Sequence, residues 1–93
     1  MLYWEQPKDP DDIERFSLDW SDRLDDGETI STQEWLCDDD DITIENFSVS
    51  GNVTTVWLSG GVAGKSYLLT NRITTSESPR QLDQTVRLRV QNQ

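Results

Sequence analysis

Apolar and polar positions alternate along most of this chain. Phe16, Leu18 and Trp20 are separated by Ser17, Asp19 and Ser21. Successive side chains of a strand point to opposite faces, so this period of two predicts a strand with one buried face. Residues 34–37 predict a short strand with Trp35 and Cys37 on its inner side. Ile42 and Ile44 keep the same rhythm, but Phe47 and Val49 are out of step with them, which predicts a bulge or a change of strand. In residues 53–59, rich in strand-forming Val, Thr and Trp, Val56 and Leu58 share one face and Thr55 and Trp57 the other. Tyr67, Leu69, Asn71 and Ile73 form a further alternating set, and Val86, Leu88 and Val90 the last. An inward Asn71 must find hydrogen bonds.

Turn-forming residues punctuate these runs: Asp25-Asp26-Gly27, the acidic residues 38–41, Gly51-Asn52, Gly60-Gly61 with Gly64, and residues 76–80 around Pro79. No stretch of useful length shows a helical period, and residues 11–16 allow one helical turn at most. Short strands at spacings of about 8–12 residues predict an all-β fold, an antiparallel sandwich of about seven strands of the immunoglobulin or fibronectin type. Residues 1–12, with two prolines and no periodicity, predict an extended N-terminal arm, and residues 13–93 a single domain. Tyr3 and Trp4 are bulky for a free terminus, so the arm is expected to dock. The glycine-containing loop before Tyr67 predicts a tyrosine corner, its hydroxyl bonded to backbone of that loop.

Composition narrows the function. The chain has 93 residues, of which 33% are hydrophobic, so its core is small and support from a partner or from self-association is expected. A net charge of −10 disfavours nucleic acid and anionic lipid as partners. Residues 1–47 hold sixteen acidic and three basic residues, and residues 48–93 hold two and five. Such halves can steer neighbours into head-to-tail contact. Cys37 is the single cysteine and there is no histidine, which excludes an internal disulfide and a Cys- or His-based metal site. No run of 18 apolar residues and no secretory leader is evident, so synthesis in a reducing cytoplasm without membrane insertion is expected.

Three motifs invite chemistry and fail. Gly64-Lys65-Ser66 ends like a phosphate-binding loop, but the glycine required five residues before Gly64 is Ser59, and a strand pattern follows instead of a helix. Residues 22–33 carry Gly27 at the sixth place of a calcium loop, but Leu24 and Gln33 occupy places that need oxygen-bearing acids. The carboxylates of residues 38–41 fit a solvated loop better than a convergent cation site. No activated nucleophile or base is apparent, so no enzyme and no cofactor is expected. Trp57, on the face opposite Val56 and Leu58, and Trp4, in the arm, are candidate interface anchors together with Tyr3. Arg72, Arg87 and Arg89 project from the outer side of their strands and form a basic stripe if those strands are neighbours.

Several phrases carry a resemblance. They are Lys8-Asp-Pro-Asp-Asp12, Phe16-Ser-Leu-Asp-Trp20, Thr29-Ile-Ser-Thr-Gln-Glu-Trp35, Thr54-Thr-Val-Trp-Leu-Ser-Gly-Gly61, Gly64-Lys-Ser-Tyr67, Leu69-Thr-Asn-Arg-Ile-Thr-Thr75, Asp83 and Val86-Arg-Leu-Arg-Val90. Together they resemble the fiber–tail adaptor proteins, small structural proteins of tailed bacteriophages, over nearly the whole chain. The resemblance implies a non-enzymatic virion component, made in the host bacterial cytoplasm, that joins tail and fiber proteins by protein–protein contacts and can self-associate. A carbohydrate-binding sandwich module using Trp57, and an acidic inhibitor of a host protein, are the competing readings.

Overall fold

The computed structural model of the chain describes residues 2–77 and 80–92. It is all-β, with seven strands: β1 (Leu2–Tyr3), β2 (Glu14–Asp19), β3 (Ile30–Cys37), β4 (Ile42–Ser50), β5 (Val53–Gly60), β6 (Ser66–Thr75) and β7 (Gln81–Arg89). They form two sheets, one ordered β1-β7-β6-β3 and one ordered β2-β5-β4. The alternation read from the sequence is the alternation of burial. Phe16, Leu18 and Trp20, then Val56 and Leu58, then Tyr67, Leu69 and Ile73, then Val86, Leu88 and Val90 all lie in one core between the sheets.

Three details differ from the sequence reading, and one alternative it left open is decided. The third strand begins at Ile30, because Ile30 and Gln33 on its inner side also pair across to β6. A single 3-10 turn forms at Ser21–Arg23, after β2, and of residues 11–16 the last three belong to that strand. The slip in β4 is a bulge: the register with β5 shifts between Ile44 and Asn46, leaving Glu45 unopposed. Pairing is antiparallel except at the amino-terminal segment, where β1 runs parallel to β7 and Lys8 bridges Val90. Of the turn expected over residues 76–80, Ser78 and Pro79 lie outside the described residues.

The amino-terminal segment is therefore a fixed part of the first sheet. Lys8 is wholly buried, and its ammonium donates to the carbonyl oxygens of Asp9 (2.8 Å) and Gly60 (2.7 Å). Desolvation lowers its pKa, against the pull of nearby Asp12, Asp9, Asp11 and Glu14. The carbonyl it holds belongs to a loop that only glycine can build. Gly61 has φ +98°, and a Cβ there would stand 2.8 Å from a methyl of Val90.

A buried polar network ties the two sheets together. The indole N–H of Trp20, just past β2, donates to Thr54 Oγ1 on β5 and to Asn71 Oδ1 on β6, each at 3.1 Å. Thr54 Oγ1 donates to the same Asn71 oxygen at 2.6 Å. The Asn71 amide in turn donates to the Glu34 carbonyl on β3 at 3.1 Å. All three side chains are buried, and among the described residues no buried side-chain nitrogen or oxygen lacks a partner. Removing the shared acceptor strands the Thr54 hydroxyl in low dielectric and leaves the Trp20 N–H only its bond to Thr54. Asn71→Ala is expected to lower the unfolding free energy by about 2–4 kcal/mol. Thr54→Val is expected to cost less, because Asn71 keeps Trp20 and Glu34. Urea denaturation followed by tryptophan fluorescence measures both.

Candidate functional site

The outer face of the β1-β7-β6-β3 sheet is built in cross-strand rows, since directly paired residues project to the same side. One row is Tyr3, Arg87 and Leu68, and the next towards the carboxyl end of β7 is Arg89 and Ser66. Between β1 and the end of β7, Tyr3, Trp4, Glu5, Ser66, Arg87 and Arg89 line an open groove of about 440 Å³. Tyr3 is 62% exposed and forms its rim.

Trp4 forms the groove's floor and is held from below. Its ring stacks on Phe16 with centroids 4.7 Å apart, lies 6.1 Å from Trp35, and its N–H donates to the Ser17 carbonyl at 2.9 Å. It closes the seam between β2 and the first sheet, and is not presented as a protruding knob.

Arg72 separates from the other two arginines. A row of Thr85, Thr70 and Leu36 lies between. Arg72 makes a two-pronged contact with Asp83, at 2.9 and 3.1 Å, and reaches Glu34 at 3.4 Å. The Asp83 carboxylate raises the Arg72 pKa, and Arg72 lowers that of Asp83. The expected stripe of three is thus a neutralised row plus one pair of arginines. Arg87 and Arg89 are exposed and, among the described residues, have no ion-pair partner.

Of the other cations, Lys65 and Arg80 find carboxylates, whereas Arg15 and Arg23 make ring contacts and, among the described residues, no ion pair. Lys65 binds Asp39 at 2.8 Å and Asp41 at 3.2 Å, and those carboxylates, Asp39 first, raise its pKa. Arg80 lies among Asp25, Glu28 and Glu77, with one nitrogen 3.2, 2.7 and 3.7 Å from their oxygens. Those three acids have ligand atoms close enough to share a metal ion, but the guanidinium already fills the position a cation would take. Arg15 lies over Trp57, 5.7 Å from the ring centroid, and Arg23 over Trp20 at 5.5 Å. Trp57 is half-buried on the outer face of the β2-β5-β4 sheet, far from the groove in the fold, opposite Arg15 and Asn46.

Tyr67 serves the scaffold. Its buried hydroxyl accepts the Val62 N–H at 2.9 Å and donates to Asp41 Oδ2 at 2.9 Å. Burial raises its pKa. Through Asp41, Tyr67 and Lys65 pin the loop after β3 to the loop before β6. The sequence motif ending Gly64-Lys65-Ser66 is part of this lock, and β6 starts at Ser66.

Sequence reasoning missed two buried ionisable groups. Besides Lys8, the Glu28 side chain is fully buried. It accepts hydrogen bonds from the Thr75 hydroxyl (2.6 Å), the Asp25 N–H (2.8 Å) and Arg80. These bonds, Thr75's foremost, lower its pKa, while its negative charge raises that of Glu77. Neither burial has a signal in a one-dimensional pattern.

The family model described as podophage GP4 fiber-tail adaptor protein gp77 matches residues 8–89 of the chain. No curated protein matches it. Among the described residues no helix is long and apolar enough to cross a membrane.

A carboxyl group whose pKa is depressed by folding stabilises the fold while ionised, and this contribution is lost as pH falls from its unfolded pKa through its folded one. Glu28, Asp39 and Asp83 are all depressed. Stability is therefore expected to hold above the ordinary carboxylate range and to fall on acidification below it. Glu28→Gln is expected to flatten that decline, as measured by urea midpoints across a pH series.

Proposed function

This chain belongs to the podophage fiber-tail adaptor family, and from that membership we propose that it is a non-enzymatic virion component joining tail to fiber through the groove at Arg87 and Arg89. The observation that carries the site is electrostatic. On a chain of net charge −10, two neighbouring guanidiniums have, among the described residues, neither a carboxylate in ion-pair contact nor an aromatic ring in cation–π contact, while Lys65, Arg72 and Arg80 are each matched to at least two carboxylates and Arg15 and Arg23 lie over tryptophan rings. Like charges two residues apart on one strand face repel, and a carboxylate from a partner relieves that repulsion. Tyr3 beside them supplies an aromatic rim, and arginine with tyrosine is the composition that interface anchors favour.

The partner of this reading is an acidic segment of another virion protein, or the acidic half of a second copy. Synthesis takes place in the host cytoplasm, and nucleic acid is not a partner because the surface is acidic. The scaffold reads as immunoglobulin-like. The division of strands β2-β5-β4 against β3-β6-β7 supports this, being that of strands B-E-D against C-F-G in such sandwiches. The Tyr67 hydroxyl on the Val62 N–H supports reading it as a tyrosine corner. A carbohydrate platform at Trp57 gains no support, since Arg15 lies over one face of that ring.

The double substitution Arg87→Glu, Arg89→Glu is expected to leave the urea midpoint nearly unchanged, because neither residue has an ion-pair partner among the described residues. Incorporation into particles, followed by quantitative mass spectrometry, is expected to fall at least about tenfold, equivalent to roughly 1.4 kcal/mol. Undiminished incorporation would refute the groove as the docking site. Arg72→Glu serves as a comparison that is expected to disturb folding more than docking.

A further inference from the structure

The two open flanks of the sandwich are treated differently. Where β2 faces the first sheet, the seam is closed by Trp4 lying on Phe16. On the opposite flank the sheets end at β3 and β4, each with one side unpaired. In the row Phe16, Val56 and Phe47, the first two are buried, and in the row Leu18, Thr54 and Val49 likewise. Yet Phe47 and Val49, which point to the same inner side, are 47% and 46% exposed. The opposing layer ends at β3, and about half of each of these side chains is left uncovered.

The free side of β3 is also undefended. Natural edge strands are commonly blunted by lysine, proline or a bulge. Beyond the irregularity between Ile30 and Thr32, residues 32–37 carry none of these, and Glu34 is their one charge. Leu36 adds an exposed apolar side chain on the outer face.

We propose that β3's free edge and the uncovered Phe47 and Val49 form one slot that receives an extended segment of a partner protein as an added strand. Its backbone pairs with β3, and its alternate apolar side chains lie under β4 against Phe47 and Val49. Charge selects the occupant. β3 runs from the connection at residues 24–29, where Asp26 has no ion pair among the described residues, to the loop of residues 38–41, where Asp38 and Asp40 have none, so both ends of the slot keep uncompensated acid. A second copy, itself at −10, brings like charge. The fitting partner is a foreign segment with alternating apolar residues and Lys or Arg at both flanks. This inference rests on the adaptor reading but uses a face separate from the arginine groove.

The test places the photo-cross-linking residue p-benzoylphenylalanine at position 47, and separately at Trp57 on the other face, in chains assembled into particles. The expected result is a cross-link from position 47, absent from position 57, to a single extended Lys/Arg-flanked segment of a different virion protein. Slowed amide exchange along β3 in the particle, relative to the free chain, accompanies it. Cross-linking to a second copy of the chain, or no cross-link from chains present in particles, overturns the slot. Absence of the unsubstituted chain from particles overturns the adaptor reading and the slot with it. Phe47→Ser with Val49→Ser, both half-exposed, is expected to fold and to lose the slowed exchange. Retention of that slowing also overturns the proposal.

Discussion

The Asn71 side chain is a polar group set in the middle of an apolar interior, and its satisfaction constrains the sandwich. Its oxygen needs Trp20 from the end of β2 and Thr54 from β5, and its amide needs the β3 backbone. Hydrophobic burial alone would tolerate small slides of one sheet over the other, because apolar contacts are non-directional. Hydrogen bonds at about 3 Å do not. Once Asn71 is satisfied, the offset of the two sheets is set, Phe16 and Trp35 lie where Trp4 meets both, and the amino-terminal segment has a surface to dock on. The groove at Arg87 and Arg89, walled by that segment, follows from this.

The sequence announces most of the scaffold because a period of two with one buried face is a local rule, and each strand obeys it independently. Asn71 and Tyr67 were legible as residues needing partners, since each sits at an inward place in an apolar run. What escaped the pattern is what depends on pairing between distant segments. Lys8 is buried by Gly60 and the end of β7. Glu28 is buried by Thr75 and Arg80. Phe47 and Val49 follow the inward rule and still face solvent, because inwardness is a property of a strand and cover is a property of the opposite sheet. Arg72 read the same as Arg87 along the chain, and only register sets Asp83 and Glu34 beside it.

The uneven charge of the sequence also looks different when folded. The excess of basic residues in the second half does not produce a basic face. Lys65, Arg72 and Arg80 reach carboxylates brought across by β-pairing and loops, five of them from the acidic half at residues 25–41. Folding thus uses the basic half mostly to hold its own acidic half. Among the described residues, the guanidiniums that make no ion pair are Arg15, Arg23, Arg87 and Arg89, and of these only Arg87 and Arg89 share one strand face.

One further property follows from the parallel pairing of β1 with β7 and of Lys8 with Val90. The domain measures 41 × 20 × 20 Å, longer in one direction than across. A tension drawn between Leu2 and Val90 would not peel these strands apart one bond at a time. It would slide them lengthwise, so that the Trp4 N–H to Arg87 carbonyl bond, the Lys8 N–H to Arg89 carbonyl bond and the Gln91 N–H to Lys8 carbonyl bond bear the strain together. Shearing resists rupture better than unzipping, so the amino-terminal segment is fastened along the direction in which the fold is mechanically strongest.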